Sequence, residues 1–163
     1  MKYFIIFLFL PFFSFAQNAK VFAVHDGDSY KVLMDSATKK VWVRLWGVDC
    51  PEVTSNIISE AQPYGRFVGD SMRVMLKGKR VTVDSVGVDI FKRMVVKVKI
   101  DTIDLTEFLL TNGFAWAFNN NNIPLAEFSR LIGLQNDASR KKIGLWADEE
   151  RINPSRWRRL YRY

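Results

Sequence analysis

The sequence predicts an α+β fold, a small β-barrel carrying about three helices. Three observations predict it. Val41 to Val48 alternates Val41, Val43 and Leu45 against Lys40, Trp42 and Arg44, the period of a half-buried strand. Tyr64, Val68, Met72 and Met75 recur at helical spacing. The order is short strands, a helix, two more strands, then helices.

The elements follow in turn. Lys20 to Val24 is a short apolar strand, and Asp26-Gly27 is a turn signal. Ser29 to Met34 and Val41 to Val48 form a hairpin across a polar turn at residues 35–39, with Arg44 on the face opposite Val43 and Leu45. Pro51 ends the third strand, and Gly78 stops the helix that reaches Leu76. Arg80 to Asp84 and Met94 to Ile100 are β-rich runs separated by the loop Asp89 to Arg93. Asp104 caps a short helix with Glu107 three residues on, and Gly113 ends it. Pro124 opens a helix with Leu125, Phe128, Leu131 and Ile132 on one apolar face; Gly144 closes it, and Leu145-Trp146 dock as a plug. Five strands with a helix between the third and fourth make a five-stranded OB-fold barrel.

The 163 residues suit one domain, and 48% hydrophobic content supplies a core. Lys2, the apolar run Tyr3 to Phe13 and Ser14-Phe15-Ala16 read as a signal peptide over 1–16, cleaved after Ala16. The run is shorter than the ~20 residues of a membrane span. The expected product is secreted or periplasmic, one folded domain over 17–150 and a basic aromatic tail over 151–163. Loss of Lys2 would take the net charge from +7 to +6. That charge favours a polyanionic partner without identifying it. Cys50 is the only cysteine and His25 the only histidine, so an internal disulfide is excluded and a protein-built zinc site disfavoured. Carboxylates point instead to Ca2+ or Mg2+.

Five residues carry the chemistry: Asp28, Arg44, Asp49, Glu52 and Arg93. Two carboxylates can hold a hard cation, a third can activate water, and two guanidiniums can clamp a phosphate. Each also has a plain structural reading. Asp28 is a turn residue, Arg44 a solvated strand position, Glu52 a helix-start residue, and Arg93 an ion-pair partner of Asp89. Their joint occurrence favours the chemical reading.

The motifs VHDGDS (24–29), VRLWGVDCPE (43–52), PYG (63–65), DIFKR (89–93), LLTNGFAW (109–116) and KIGLW (142–146) stand in one order over nearly all of the chain after residue 16. In that order and spacing the chain resembles the staphylococcal nuclease family, with its SNase-like OB-fold domain. PSRWRR (154–159) is similar to the endings of many bacterial members. The resemblance implies a Ca2+-dependent endonuclease acting on DNA and RNA and leaving 3′-phosphate ends. It implies Asp28 and Asp49 as carboxylate ligands, the backbone carbonyl of Cys50 as a third, Glu52 as general base, and Arg44 and Arg93 on the phosphate. Phe91 and Lys92 stand where the family often has Tyr-Gly, and Trp116 and Phe118 offer a stacking surface in place of its tyrosines. These four are the expected substrate contacts of an enzyme expected to be monomeric. Trp157 is expected to pack on the barrel, with the tail arginines left open between solvent and nucleic acid. A non-catalytic nucleic-acid-binding OB module and a basic protein bound to envelope polymers are the competing functions.

Overall fold

The computed structural model describes residues 16–119 and 123–163, so residues 1–15 of the expected signal peptide lie outside the described residues. Its strands are β1 (Gln17–Val24), β2 (Ser29–Met34), β3 (Val41–Leu45), β4 (Val48–Asp49), β5 (Arg80–Val88), β6 (Met94–Ile100), β7 (Ile103–Asp104) and β8 (Trp116–Ala117). Its α-helices are α1 (Gly65–Leu76), α2 (Leu105–Thr111), α3 (Leu125–Arg140) and α4 (Pro154–Tyr161).

β1, β2, β3, β5 and β6 make the barrel. Antiparallel pairing runs β3-β2-β1-β5-β6, and a parallel pairing of β3 with β6 closes it. Closure places Arg44 opposite Val95 on one side and Ser29 on the other. The period-two pattern fills the interior: Val21, Tyr30, Val32, Val43, Leu45, Val81, Val83, Val96 and Val98 are buried there, with Val68, Met72 and Leu76 of α1. α2 adds Leu105, Leu109 and Leu110 to this core, and its N-cap Asp104 accepts from the backbone N–H of Thr106 and Glu107 as its spacing predicts.

Five expectations are corrected in detail. The third strand does not run to Val48. It breaks at Trp46-Gly47, because Gly47 takes φ +81 and a Cβ there would stand 2.8 Å from Leu131 Cδ1. The first strand starts at Gln17 and the fourth extends to Val88, with a bulge between Ser85 and Gly87. α3 ends at Arg140, and Gly144 instead opens a 3-10 turn that buries Leu145 and Trp146. Leu125, at the start of α3, is exposed, while Leu131 and Ala138 are the residues this helix buries.

The helix count is four because the basic tail contains α4. Asn153 accepts from the Ser155 N–H at its N-terminus and Pro154 occupies the first turn. Trp157 is buried, as expected, stacks on Tyr161 and donates from Nε1 to the Glu60 carbonyl at 2.9 Å. The Ser59 N–H donates to the Tyr161 carbonyl at 2.9 Å. α4 is therefore seated on the 55–62 loop, next to Glu52 in sequence. Among the described residues, no helix is long and apolar enough to cross a membrane.

Candidate active site

The first carboxylates come from the turn before β2. Asp26 Oδ1 accepts from the Asp28 N–H at 3.0 Å, and the Tyr30 hydroxyl donates to the Gly27 carbonyl. A Cβ on Gly27 would lie 2.5 Å from Cys50 Sγ and 2.6 Å from Val68 Cγ1, so only glycine lets the turn press this close to the core. The turn delivers Asp28 into the interior, 1% exposed. Its Oδ2 accepts from the Cys50 N–H at 2.7 Å, and its Oδ1 from Ser29 Oγ at 3.1 Å.

Asp49 arrives from the opposite side. β4 and β8 pair only at Val48–Ala117 and Asp49–Trp116, and this short ladder fixes the Asp49 backbone. Arg44, half-buried on β3, bridges the two acids: Nη1 lies 3.1 Å from Asp28 Oδ1, and Nη2 donates to Asp49 Oδ1. Glu52 follows on a loop whose backbone is pinned by Gln62. The Gln62 N–H donates to the Glu52 carbonyl at 2.9 Å, and Gln62 Oε1 accepts from the Glu52 N–H at 3.2 Å. The other end of the same amide donates to the Ile152 carbonyl. Gly65 opens α1 directly against this loop; a Cβ there would lie 2.1 Å from the Glu52 carbonyl oxygen.

Asp28, Arg44, Asp49 and Glu52 are thus brought into one pocket. Two residues that sequence reasoning did not assign join them. Asp26 was visible only as a turn signal. Arg158 of α4 reaches across the molecule: its Nη1 donates to Asp49 Oδ1 at 3.0 Å and to Glu52 Oε1 at 2.5 Å, and its Nη2 to Asp49 Oδ2 at 2.9 Å. The usable signal was Trp157, since a tryptophan in a basic segment marks a docked helix and sets its neighbours against the body.

Burial decides the electrostatics. Desolvation pushes the Asp28 carboxyl up to about 7, with Asp26 and Asp49 adding repulsion that Arg44 only partly offsets. Desolvation likewise raises Asp26 and Glu52, Arg158 opposing the rise at Glu52. Burial works against the charge of Arg44, but Asp28, Asp49 and Asp26 outweigh it and hold the guanidinium firmly protonated. The Cys50 thiol is raised first by burial and then by Asp28, which makes it unreactive.

The donor set suits a hard divalent cation. It offers carboxylate oxygens, and four acids (Asp26, Asp28, Asp49, Glu52) face two guanidiniums (Arg44, Arg158), a surplus of negative charge that a divalent ion would neutralise. Among the described residues, no group of three or more His, Cys, Asp or Glu is placed to hold a metal ion, so two carboxylates there would have to be completed by backbone, water or substrate oxygens.

The other expected residues make different contacts, although Trp116 stands opposite Asp49 in the β4–β8 ladder. Arg93 pairs with Asp89: Nη2 is 2.7 Å from Asp89 Oδ2 and Nε donates to it at 2.8 Å. The plain ion-pair reading is therefore present in the structure. Phe91 is exposed with the Arg93 guanidinium 5.5 Å from its ring centroid, and Lys92 takes the left-handed turn position, φ 61. Trp116 is half-buried against Trp146, 5.4 Å between centroids, so one face is already covered. Phe118 is more open, its N–H held by the Gly47 carbonyl at 3.0 Å.

Comparison with known proteins places the chain in a family. The family model for staphylococcal nuclease homologues matches residues 42–148. An uncharacterized endonuclease of Escherichia coli O157:H7 is 35% identical over 142 residues, 86% of this chain and 84% of that protein. A probable endonuclease of Komagataella phaffii is 36% identical over 132 residues, 76% of this chain and 57% of that protein. A staphylococcal-like nuclease of Arabidopsis thaliana is 29% identical over 121 residues, 74% of this chain and 34% of that protein. With a closed five-stranded barrel, a matching family model and relatives named as endonucleases, the chain belongs to the staphylococcal nuclease family, and its function is that of a nuclease.

Proposed function

We propose that the chain is an exported, Ca2+-dependent endonuclease that hydrolyses phosphodiester bonds of DNA and RNA. The observation that carries this reading is the convergence of Asp28, Arg44, Asp49 and Glu52 in one pocket, from segments 28 to 52, with more negative than positive charge. Asp28 and Asp49, with the Cys50 backbone, are the residues to hold the cation. When bound, that ion supplies charge neutralisation and orientation of phosphate and water.

The protein's own groups do the rest. Glu52 takes the proton of the attacking water, a contribution of about 10²–10⁴-fold. The water oxygen bonds to phosphorus as the P–O5′ bond breaks, and the departing 5′ oxygen takes a proton from solvent, leaving a 3′-phosphate and a 5′-hydroxyl. Arg44 donates from a fixed position to the phosphoryl oxygens as charge builds on them, and it stays protonated throughout. Arg93 is offered from the 89–93 turn with Phe91 and Lys92 beside it, and Trp116 and Phe118 from the 116–118 segment add surface to grip the substrate. The excess of basic residues draws the polyanion in, so binding weakens steeply as salt rises.

Digestion of single-stranded DNA by the wild type with Ca2+, with EDTA, and by Glu52→Gln with Ca2+ tests the reading. Cutting is expected only in the first arm at full rate. Equal rates for wild type and Glu52→Gln would defeat it. Export is checked separately by sequencing the N-terminus of the secreted product, expected at Gln17; a retained Met1 defeats that part.

A further inference from the structure

We propose that Arg158, contributed by the C-terminal helix α4, is a positioning residue of the phosphodiester reaction: it bridges Asp49 and Glu52 and fixes the base carboxylate for its water. The inference rests on the nuclease reading above and adds to it a residue 106 positions from Glu52 in sequence.

The physical problem is repulsion. Asp49 and Glu52 are carboxylates brought together in a largely desolvated pocket, with side chains 1% and 14% exposed. Left alone, Glu52 would turn outward to solvent, because like charges in low dielectric repel strongly. Arg158 solves this with its planar fork. Nη1 serves both acids at once, and Nη2 takes the second Asp49 oxygen. Only Oε1 of Glu52 is engaged; among the described residues Oε2 accepts no hydrogen bond. One oxygen is thus anchored while the other is left to take a proton.

The fork is held in place before substrate arrives. Its neighbour Trp157 is buried and hydrogen-bonded to the Glu60 carbonyl, and Tyr161 is tied to Ser59. The Gln62 amide joins the Glu52 backbone to Ile152, just before the helix. Glu52 is therefore fixed twice from the same side: its main chain through Gln62 and its side chain through Arg158.

Full-length wild type, Arg158→Ala, Arg158→Lys and Arg159→Ala are compared on single-stranded DNA with saturating Ca2+, alongside thermal melts and Ca2+ titration calorimetry without DNA. Arg158→Ala is expected to lose about 10²-fold in kcat, the scale of a misplaced reacting group, with KM within threefold. Arg158→Lys keeps the charge but loses the fork, so it stays at least several-fold below wild type in kcat. Arg159, exposed on the same helix, serves as the charge control, and Arg159→Ala keeps the wild-type kcat. Ca2+ binds Arg158→Ala at least as tightly as wild type, since a positive charge has left the site. A kcat loss below tenfold, a rise in KM at constant kcat, full recovery by lysine, or weaker Ca2+ binding would each overturn the proposal. If Arg158→Ala does not fold, Arg158→Lys carries the test. A wild type that does not cut defeats the nuclease reading instead; a cutting wild type matched by both Arg158 variants defeats this inference alone.

Discussion

Arg44 and Arg93 are assigned the same task on the phosphate, and the fold holds them in opposite ways. Arg44 lies on a central strand, paired on both sides within the closed barrel, and its guanidinium is locked between two buried acids. Arg93 ends a turn whose tip, Ile90 and Phe91, is exposed, and its partner Asp89 belongs to the same turn. Asp89 also accepts from the N–H groups of Phe91 and Arg93, so the turn is closed locally rather than by the barrel. Arg44 is thus part of the structure before it is part of the chemistry. Arg93 is a side chain on a self-contained turn, paired within that turn rather than with the core.

The sharpest break in this comparison comes from removing each guanidinium. Arg44→Ala is expected to lower kcat by about 10²–10³-fold. It should also cost about 3–5 kcal/mol of stability, because Asp28 is left buried without its cationic partner while Asp49 keeps only Arg158. Arg93→Ala is expected to lower kcat on a similar scale and stability by under ~1 kcal/mol, since its pair sits at a partly exposed turn. Urea unfolding and steady-state kinetics on both variants decide it; equal stability losses would erase the distinction.

A smaller effect probes the pocket wall without touching a charged group. Gly65→Ala pushes a methyl against the Glu52 carbonyl, so the loop must shift. Stability should fall by about 1–3 kcal/mol, the range for forced overpacking. The activity of the folded variant should fall with it, read as kcat well below the melting point. Unchanged kcat would mean that the Glu52 loop tolerates displacement.

The smallest effect belongs to the turn and to pH. Although partial burial works to raise the Asp89 carboxyl, the N–H and guanidinium of Arg93 outweigh it and hold the group below its ordinary 3.8. A depressed folded value means that Asp89 stabilises the turn fully above the ordinary carboxylate range. That contribution is lost as pH falls through the depressed value. Backbone resonances of residues 89–93 should therefore shift late in an acid titration, at a pH below 3.8, and Asp89→Asn should abolish the transition. A transition above 3.8 would contradict the local closure of the turn.

The legible part of the site is its local part. Asp28, Arg44, Asp49 and Glu52 sit in two short motifs, and the hairpin that carries Arg44 is encoded within a few residues, whereas the break at Trp46-Gly47 answers to Leu131, far along the chain. Asp26 was read only as a turn former, because an Asp before Gly has that use whatever surrounds it. Its burial beside Asp28 depends on Val68 and Cys50 closing over Gly27. Gln62 carried no pattern at all. Its two-ended bond to Glu52 and Ile152 exists only once the C-terminal segment lies on the loop.

By itself the sequence determined the barrel class and the family and named the four clustered residues, since periodicity and motif spacing act over distances that local sterics and side-chain alternation control. Tertiary structure decided where the charges end up. It made Trp116 half an inner wall and brought Arg158 from 109 residues away onto Asp49. The reason is physical: which ions pair is set by burial and distance in three dimensions, and a linear pattern encodes neither.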